Sequence, residues 1–346
     1  MTNTADNLTD DTVKIVAYCG DRSACAFYRI NSPLHALTDS NKSPDFKYIS
    51  KGVMEKIDLD PGRFDVAIFQ RQYKPEVFNY MMQMKKHGTK VIYEIDDNLF
   101  EVPPWNPAHK FFKQCSVREY IQIFLENVDA VFVTQEYLKK VYAKYNPNVF
   151  VLPNSIDFKV MHGRPRNNRH PVVCWQGSNT HEKDLALVRK AFLKLVKDDD
   201  CFVKLWSMDV PGAHKVPLVQ FEAFFPMYGQ LDIDIGLAPL APNNFNRCKS
   251  NLKFLEYSAL RTPTIASDFG PYKDVIKNNE TGLLVGNVKD WYGAIRMLID
   301  DVAERERLGN AAYEFVKENY DIDKNCVYWG QAIKQVLGRG DKDGGQ

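Results

Sequence analysis

The chain has 346 residues, more than one ordinary core holds, and its 45% hydrophobic and 26% charged residues are those of a globular protein with a buried interior. A net charge of +1 gives no global basic field for nucleic acid, and a mean hydropathy of −0.38, with no apolar run near the ~20 residues of a membrane helix, argues against a span. The polar start from Met1 to Thr12 does not read as a secretory signal, and seven scattered cysteines with no C-x-x-C pair predict neither a disulfide framework nor a zinc site, which points to a reducing cytoplasm, with peripheral attachment to a membrane as an alternative.

In chain order, short β-branched runs alternate with helical patterns, as in parallel sheets built from βαβ units. Strands are predicted at Val13–Tyr18, Val66–Phe69, Lys90–Ile95, Ala130–Thr134 and Val149–Leu152, and helices at Tyr28–Leu37, Glu76–Lys86, Val117–Glu126 and Glu136–Tyr145. A turn, Pro153 to Asp157, then leads into a basic, strand-free stretch from Lys159 to His170 that carries Arg164, Arg166 and Arg169. It reads as a solvated linker, or alternatively as a face for phosphates. Strands resume at Val172–Trp175, Val203–Trp206, Ile233–Ala238, Thr264–Ala266 and Leu283–Val285, with helices at Asp184–Val196, Asn251–Leu260, Asp290–Asp300 and Ala303–Asn319. A last helix is predicted over Asp323–Leu337, with Trp329, Ile333 and Val336 on one face, before a Gly- and charge-rich tail, 338–346. This predicts a first domain over 1–157, a linker over 158–170 and a second domain over 171–320, with a ligand crevice at the carboxyl ends of both sets of strands.

Within the second half, Lys249, Lys253 and Glu256 fall on one side of a helix if Ser250 is its N-cap, while Leu252, Leu255 and Ala259 form the apolar side. Free N–H groups, the helix dipole and two cations suit a diphosphate, and a carboxylate two turns along can accept hydrogen bonds from a ribose diol. The same residues also read as a surface helix with a Lys253–Glu256 pair at i, i+3 spacing. Local pattern alone leaves both open.

The wider context adds a resemblance. Phe245-Asn246, Lys249-Ser250, Lys253, Glu256-Tyr257, Pro263, Ala266-Ser267 and Thr281 to Val285, preceded by Asp234 to Leu240 and followed by Trp291, Arg305 and Leu308, closely resemble the donor motif of family 4 retaining glycosyltransferases (group 1 glycosyltransferases, GT-B fold). Pro153-Asn154-Ser155-Ile156-Asp157 is similar to the family's interdomain turn, with Ser155 in a glycine place. The match is specific from Pro153 to Tyr320 and looser before it, where Tyr28-Arg29-Ile30 and Tyr93 to Asp97 carry it.

The resemblance implies an α/β fold of two Rossmann-like, doubly wound domains facing a cleft, with the helix over 323–337 crossing back to complete the first domain. It implies retaining transfer of a sugar from a nucleotide-diphosphate sugar to an acceptor hydroxyl, with no metal or other cofactor. Lys249 and Lys253 would neutralise the leaving diphosphate, Glu256 would hold the ribose, and Lys183 matches a phosphate lysine. Gly177 and Ser178 would let backbone approach phosphate, and Ser250, Asn251 and Asn154 complete the donor side. Cys248 departs from the pattern, because it stands where the family has the first of two glutamates. Either Asn246 or Asn251 takes that role, or the sugar is held differently, or the thiol itself acts.

On the acceptor side, Arg22 and Arg29 are candidate anion contacts, with a helix-surface position as the alternative for Arg29. Asp96 and Asp97 are candidates to orient or deprotonate an acceptor, or to cap a turn. Arg71 is a further anion candidate, and Trp105 can stack on a sugar ring or pack its loop. Asp232-Ile233-Asp234 has a metal-binding D-x-D form but opens a buried strand, and the seven histidines lack ligand spacing. Asp268-Phe269-Gly270 lacks the other kinase motifs. A sugar phosphorylase or epimerase, or a non-catalytic nucleotide-sugar module, are the competing readings. A saccharide or lipid-linked saccharide is the expected acceptor and a hydroxylated DNA base the minority one, supported only by Lys159–His170. The sequence does not specify the oligomeric state.

Overall fold

The computed structural model describes residues 12–39, 45–53, 62–161, 163, 168, 170–206, 209–217, 219, 225 and 227–339. The expectations for Arg164, Arg166 and Arg169, and for the tail past 339, lie outside them.

The first sheet contains β1 (Val13–Cys19), β2 (Phe46–Val53), β3 (Val66–Gln70), β4 (Lys90–Glu94), β5 (Ala130–Val133) and β6 (Val149–Val151), all parallel, in the order β2-β1-β3-β4-β5-β6. Its central strands are buried throughout, as parallel strands covered on both faces must be. The covering helices are α1 (Ser32–Leu37), α2 (Pro75–Lys86), α3 (Cys115–Asn127) and α4 (Glu136–Tyr142). The expected helix over Tyr28–Leu37 is interrupted: a π-helical turn spans Phe27–Asn31 before α1. That turn sends the adjacent side chains of Tyr28 and Arg29 to different partners, described below.

The second sheet contains β7 (Val172–Trp175), β8 (Phe202–Trp206), β9 (His214–Val216), β10 (Ile235–Ala238), β11 (Thr264–Ser267) and β12 (Leu283–Val285), again parallel, in the order β12-β11-β10-β7-β8-β9. This is the doubly wound order in which the chain reverses direction between the first and fourth strands, here β7 and β10. Helices α5 (Glu182–Asp198), α6 (Leu252–Ala259), α7 (Trp291–Asp300) and α8 (Val302–Asn319) flank it. Asp234 has a structural role: its Oδ2 accepts from the Val172 amide at 2.8 Å and from Asn168 Nδ2 at 2.6 Å, fixing the start of β7 beside β10.

The final helix, α9 (Ile322–Val336), lies on the first sheet, where Trp329 meets Phe132 edge-on at 5.5 Å and Cys326, Ala332 and Ile333 join the core of β1 and β5. The chain therefore crosses between domains twice, and the crossings touch. Ile156 N donates to Tyr320 O at 2.7 Å, and Ile322 N donates back to Ile156 O at 2.9 Å.

Candidate active site

Both sheets present carboxyl ends to one crevice. From the first domain come the loops after β1, β3, β4 and β5, and from the second those after β7 and β10. Asp184, in the first turn of α5, ties the second-domain loops together by accepting from Ala241 N at 2.8 Å.

Helix α6 begins beside this point. Its N-cap is Asn251, one residue later than the expected Ser250, and no side chain caps it; Ser250 Oγ instead accepts from Asn154 Nδ2 at 3.0 Å. Phe254, Leu255 and Tyr257 bury the sheet-facing side so closely that a Cβ on Gly236 would sit 2.4 Å from the Tyr257 ring. The opposite side carries Lys249, Lys253 and Glu256, so the surface-helix reading fails.

Lys253 is half-buried and makes no hydrogen bond or ion pair among the described residues. Burial, with Lys249 alongside, lowers its pKa despite nearby carboxylates. Lys249 lies 4.7 Å from the Phe245 ring centroid and reaches across to Asp97 at 3.8 Å. Glu256 is 2% exposed and bonded on both oxygens, Oε1 accepting from Tyr28 Oη at 2.9 Å and Oε2 from Gln176 Nε2. Burial pushes its carboxyl up to about 7, against these two donors and Lys253.

The first-domain candidates form a charged pair of loops. Arg71, past the end of β3 in a left-handed conformation (φ 49°), ion-pairs with Asp96 and with Asp97, the latter at 2.8 Å. Its guanidinium is thus committed internally. Burial would raise the Asp97 pKa, but Lys249 and Arg71 outweigh it and hold the group low, which makes Asp97 a counter-ion rather than a strong base.

Arg29 corrects the expectation more sharply, since it is neither an anion contact nor a surface residue. It is 1% exposed, with Nε 2.6 Å from Glu94 Oε1, and Nη1 donating to Leu152 O at 2.5 Å and to Asn154 Oδ1 at 3.1 Å. Asn154 is accordingly spent on linking Arg29 to Ser250.

Ser178 caps the turn Asn179–His181, its Oγ 2.7 Å from Thr180 Oγ1, and a Cβ on neighbouring Gly177 would strike the Trp175 ring at 2.5 Å. Lys183 is exposed on the first turn of α5, and Arg22 is exposed on the loop after β1. Trp105 is 39% exposed on its loop.

Cys248 is 3% exposed and packs into the first-domain core, and burial pushes its thiol up to about 11, which favours the neutral thiol over the thiolate. Asn246, a candidate to stand in for the missing glutamate, is oriented by its Nδ2, which donates to Asp184 Oδ1 at 2.8 Å and to Ala241 O at 2.9 Å. His181, given no role in the sequence reading, stands here as well, with Nδ1 2.7 Å from Asp184 Oδ2. Its spacing of three residues from Asp184 at a helix start was the available signal.

Residues 252–315 match the family model of glycosyl transferases group 1. No curated protein matches the chain by sequence. Among solved structures, sucrose-phosphate synthase from Thermosynechococcus elongatus is similar at a TM-score of 0.66 and 14% identity, over 94% of this chain and 99% of that one. A glycosyltransferase from Rickettsia africae ESF-5 is similar at 0.65 and 12%, over 97% and 100%. Anabaena HepE in complex with UDP is similar at 0.65 and 9%, over 94% and 100%. The architecture is therefore GT-B, and the segment 252–315 within it is similar to the glycosyl transferases group 1 model.

Proposed function

We propose that this chain transfers a sugar from a nucleotide-diphosphate sugar to an acceptor hydroxyl with retention of anomeric configuration. The observation that carries the reading is Lys253: a half-buried ammonium beside Lys249, with no hydrogen bond or ion pair among the described residues, at the point where doubly wound sheets bind ligands. Such a cation is costly to bury unless an anion arrives. Lys249 and Lys253 take the charge that develops on the departing diphosphate, and Glu256, one helical turn past Lys253, accepts from the ribose. The acceptor oxygen attacks on the face that the diphosphate leaves and passes its proton to the departing phosphate oxygen, while Asp97 orients it from the first domain and stays ionised.

Lysine ammoniums supply the charge that a metal would otherwise supply, so we propose metal-independent turnover that persists in EDTA. Anabaena HepE, solved with UDP-glucose, makes a uridine donor the first to try. The acceptor is proposed to be a saccharide or lipid-linked saccharide. A cytoplasmic setting is proposed from the free state of all seven cysteines. Among the described residues, no helix is long and apolar enough to cross a membrane.

A thermal-shift panel of UDP-, GDP-, ADP-, CMP- and TDP-sugars tests the reading, because a ligand that binds the folded state raises its stability. Stabilisation by one nucleotide class, with slow hydrolysis of its sugar, is expected. Silence across the panel sinks the proposal.

A further inference from the structure

His181 is the N-cap residue of α5, at the carboxyl end of β7. Its partner Asp184 is 3% exposed and takes donors on both oxygens: Ala241 N and Asn246 Nδ2 on Oδ1, each at 2.8 Å, and His181 Nδ1 on Oδ2 at 2.7 Å. A buried carboxylate bonded this way stays ionised, and its pKa is lowered although burial alone would raise it. It therefore holds the proton of the neutral ring on Nδ1 and leaves a lone pair on Nε2. Among the described residues, nothing bonds Nε2.

The groups that bear on the ring come from every side of the crevice. Lys253 on α6 and Lys249 before it disfavour its protonation, Asp184 favours it, and Asp97 from the first domain interacts with it as well. Burial is the largest cause, and together these push His181 down to about 4, so the empty crevice holds a neutral imidazole next to two ammoniums. A bound polyanion reverses the sign of that field.

We propose that His181 is the proton-uptake group of the donor cradle, taking a proton from solvent onto Nε2 when a nucleoside diphosphate docks and donating it to a phosphate oxygen as a third cation beside Lys249 and Lys253. The inference rests on the proposed function above. When the bond from the anomeric carbon to the diphosphate breaks, the electron pair stays on the phosphate oxygen, which takes the acceptor's proton, while the Nε2–H donates a hydrogen bond that stabilises the charge developing there. Departure of the nucleotide returns the proton to solvent.

Calorimetry with UDP as the probe, at mildly acidic pH in buffers of different ionisation enthalpy, counts protons taken up on binding. The wild type is expected to take up close to one proton more than H181Q, with H181Q binding UDP about tenfold or more weakly through loss of a charge-assisted bond. Histidine-selective NMR provides a second readout: the signal absent from H181Q is expected to move from neutral to imidazolium on adding UDP. Unchanged unfolding temperature of the free variant excludes a merely structural effect, since His181 is partly exposed. UDP binding with equal proton counts in the two proteins overturns the inference and leaves the donor site standing. No UDP binding by the wild type overturns both.

Discussion

The Tyr28 hydroxyl donates to Glu256 Oε1 at 2.9 Å, joining the two domains across 228 residues of sequence through the carboxylate assigned to the ribose. A ribose diol that takes the Oε1 lone pair used by Tyr28 displaces this hydroxyl. Removing it in Y28F is expected to lower stability by about 1–3 kcal/mol, because a buried carboxylate loses a donor. UDP should then bind more tightly, having nothing to displace. Thermal unfolding with and without UDP reads both effects, and weaker UDP binding by Y28F would show that the tyrosine contacts the donor instead.

Glu256 also sets a pH dependence. Its carboxyl is raised from 4.5 to about 7 in the folded chain. The stability its neutral form provides is therefore complete below pH 4.5 and is lost as pH rises through about 7. E256Q keeps a neutral side chain throughout, and its amide can donate to Gln176 Oε1, a buried atom with no partner among the described residues. Melting temperatures should coincide near the acid end and favour E256Q progressively above it, while UDP affinity falls. Parallel curves would refute the assignment.

His181 works with the opposite sign. Its value is lowered from 6.5 to about 4, so the stability of its neutral form is full above pH 6.5 and is lost as pH falls toward 4. The free H181Q protein should lose less stability than the wild type over that interval in denaturant titrations.

Lys253 has no hydrogen bond or ion pair to lose among the described residues, so K253A should fold as well as the wild type. Its UDP affinity should fall by about 1.5–3 kcal/mol, roughly ten- to a hundredfold, as a charge-assisted contact disappears. Isothermal titration checks this, and unchanged affinity would remove the lysine from the site.

Arg29 predicts a purely structural loss. R29M leaves Glu94, which is fully buried, without its cation and removes the guanidinium 5.4 Å from the Trp329 ring centroid. The cost should be about 3–5 kcal/mol by chemical denaturation. Adding E94Q should recover part of it, since Gln70 Nε2 already donates to this side chain at 3.0 Å.

The strands were legible where both faces are buried, because V-A-I-F and V-V-C-W have no other soluble use. Two of the four edge strands, β2 and β9, escaped notice. In β2, Lys47 and Ile49 are exposed and only Phe46 among its described side chains is fully buried, so no apolar run marks it; β9 is three residues long. The second-domain lysines were legible because a helix fixes their relative placement within two turns.

What each site residue bonds to was not legible. Arg29 finds Glu94 at a separation of 65 residues, and Lys249 finds Asp97 through closure of the crevice; neither pairing leaves a spacing signal. Cys248 was read against a motif, whereas its burial is decided by the opposite domain.

The paired crossings at Ile156 and at Tyr320 to Ile322 have a mechanical meaning. Two connections bonded at one point act as the spine of a book: they oppose sliding and leave swinging as the easy motion. Ser250, bonded to Asn154 at that spine, leads directly into the helix carrying Glu256. On the proposed function, the nucleotide lies close to that axis, beside the helix carrying Glu256, and the margin far from it is where an acceptor would enter and a product leave.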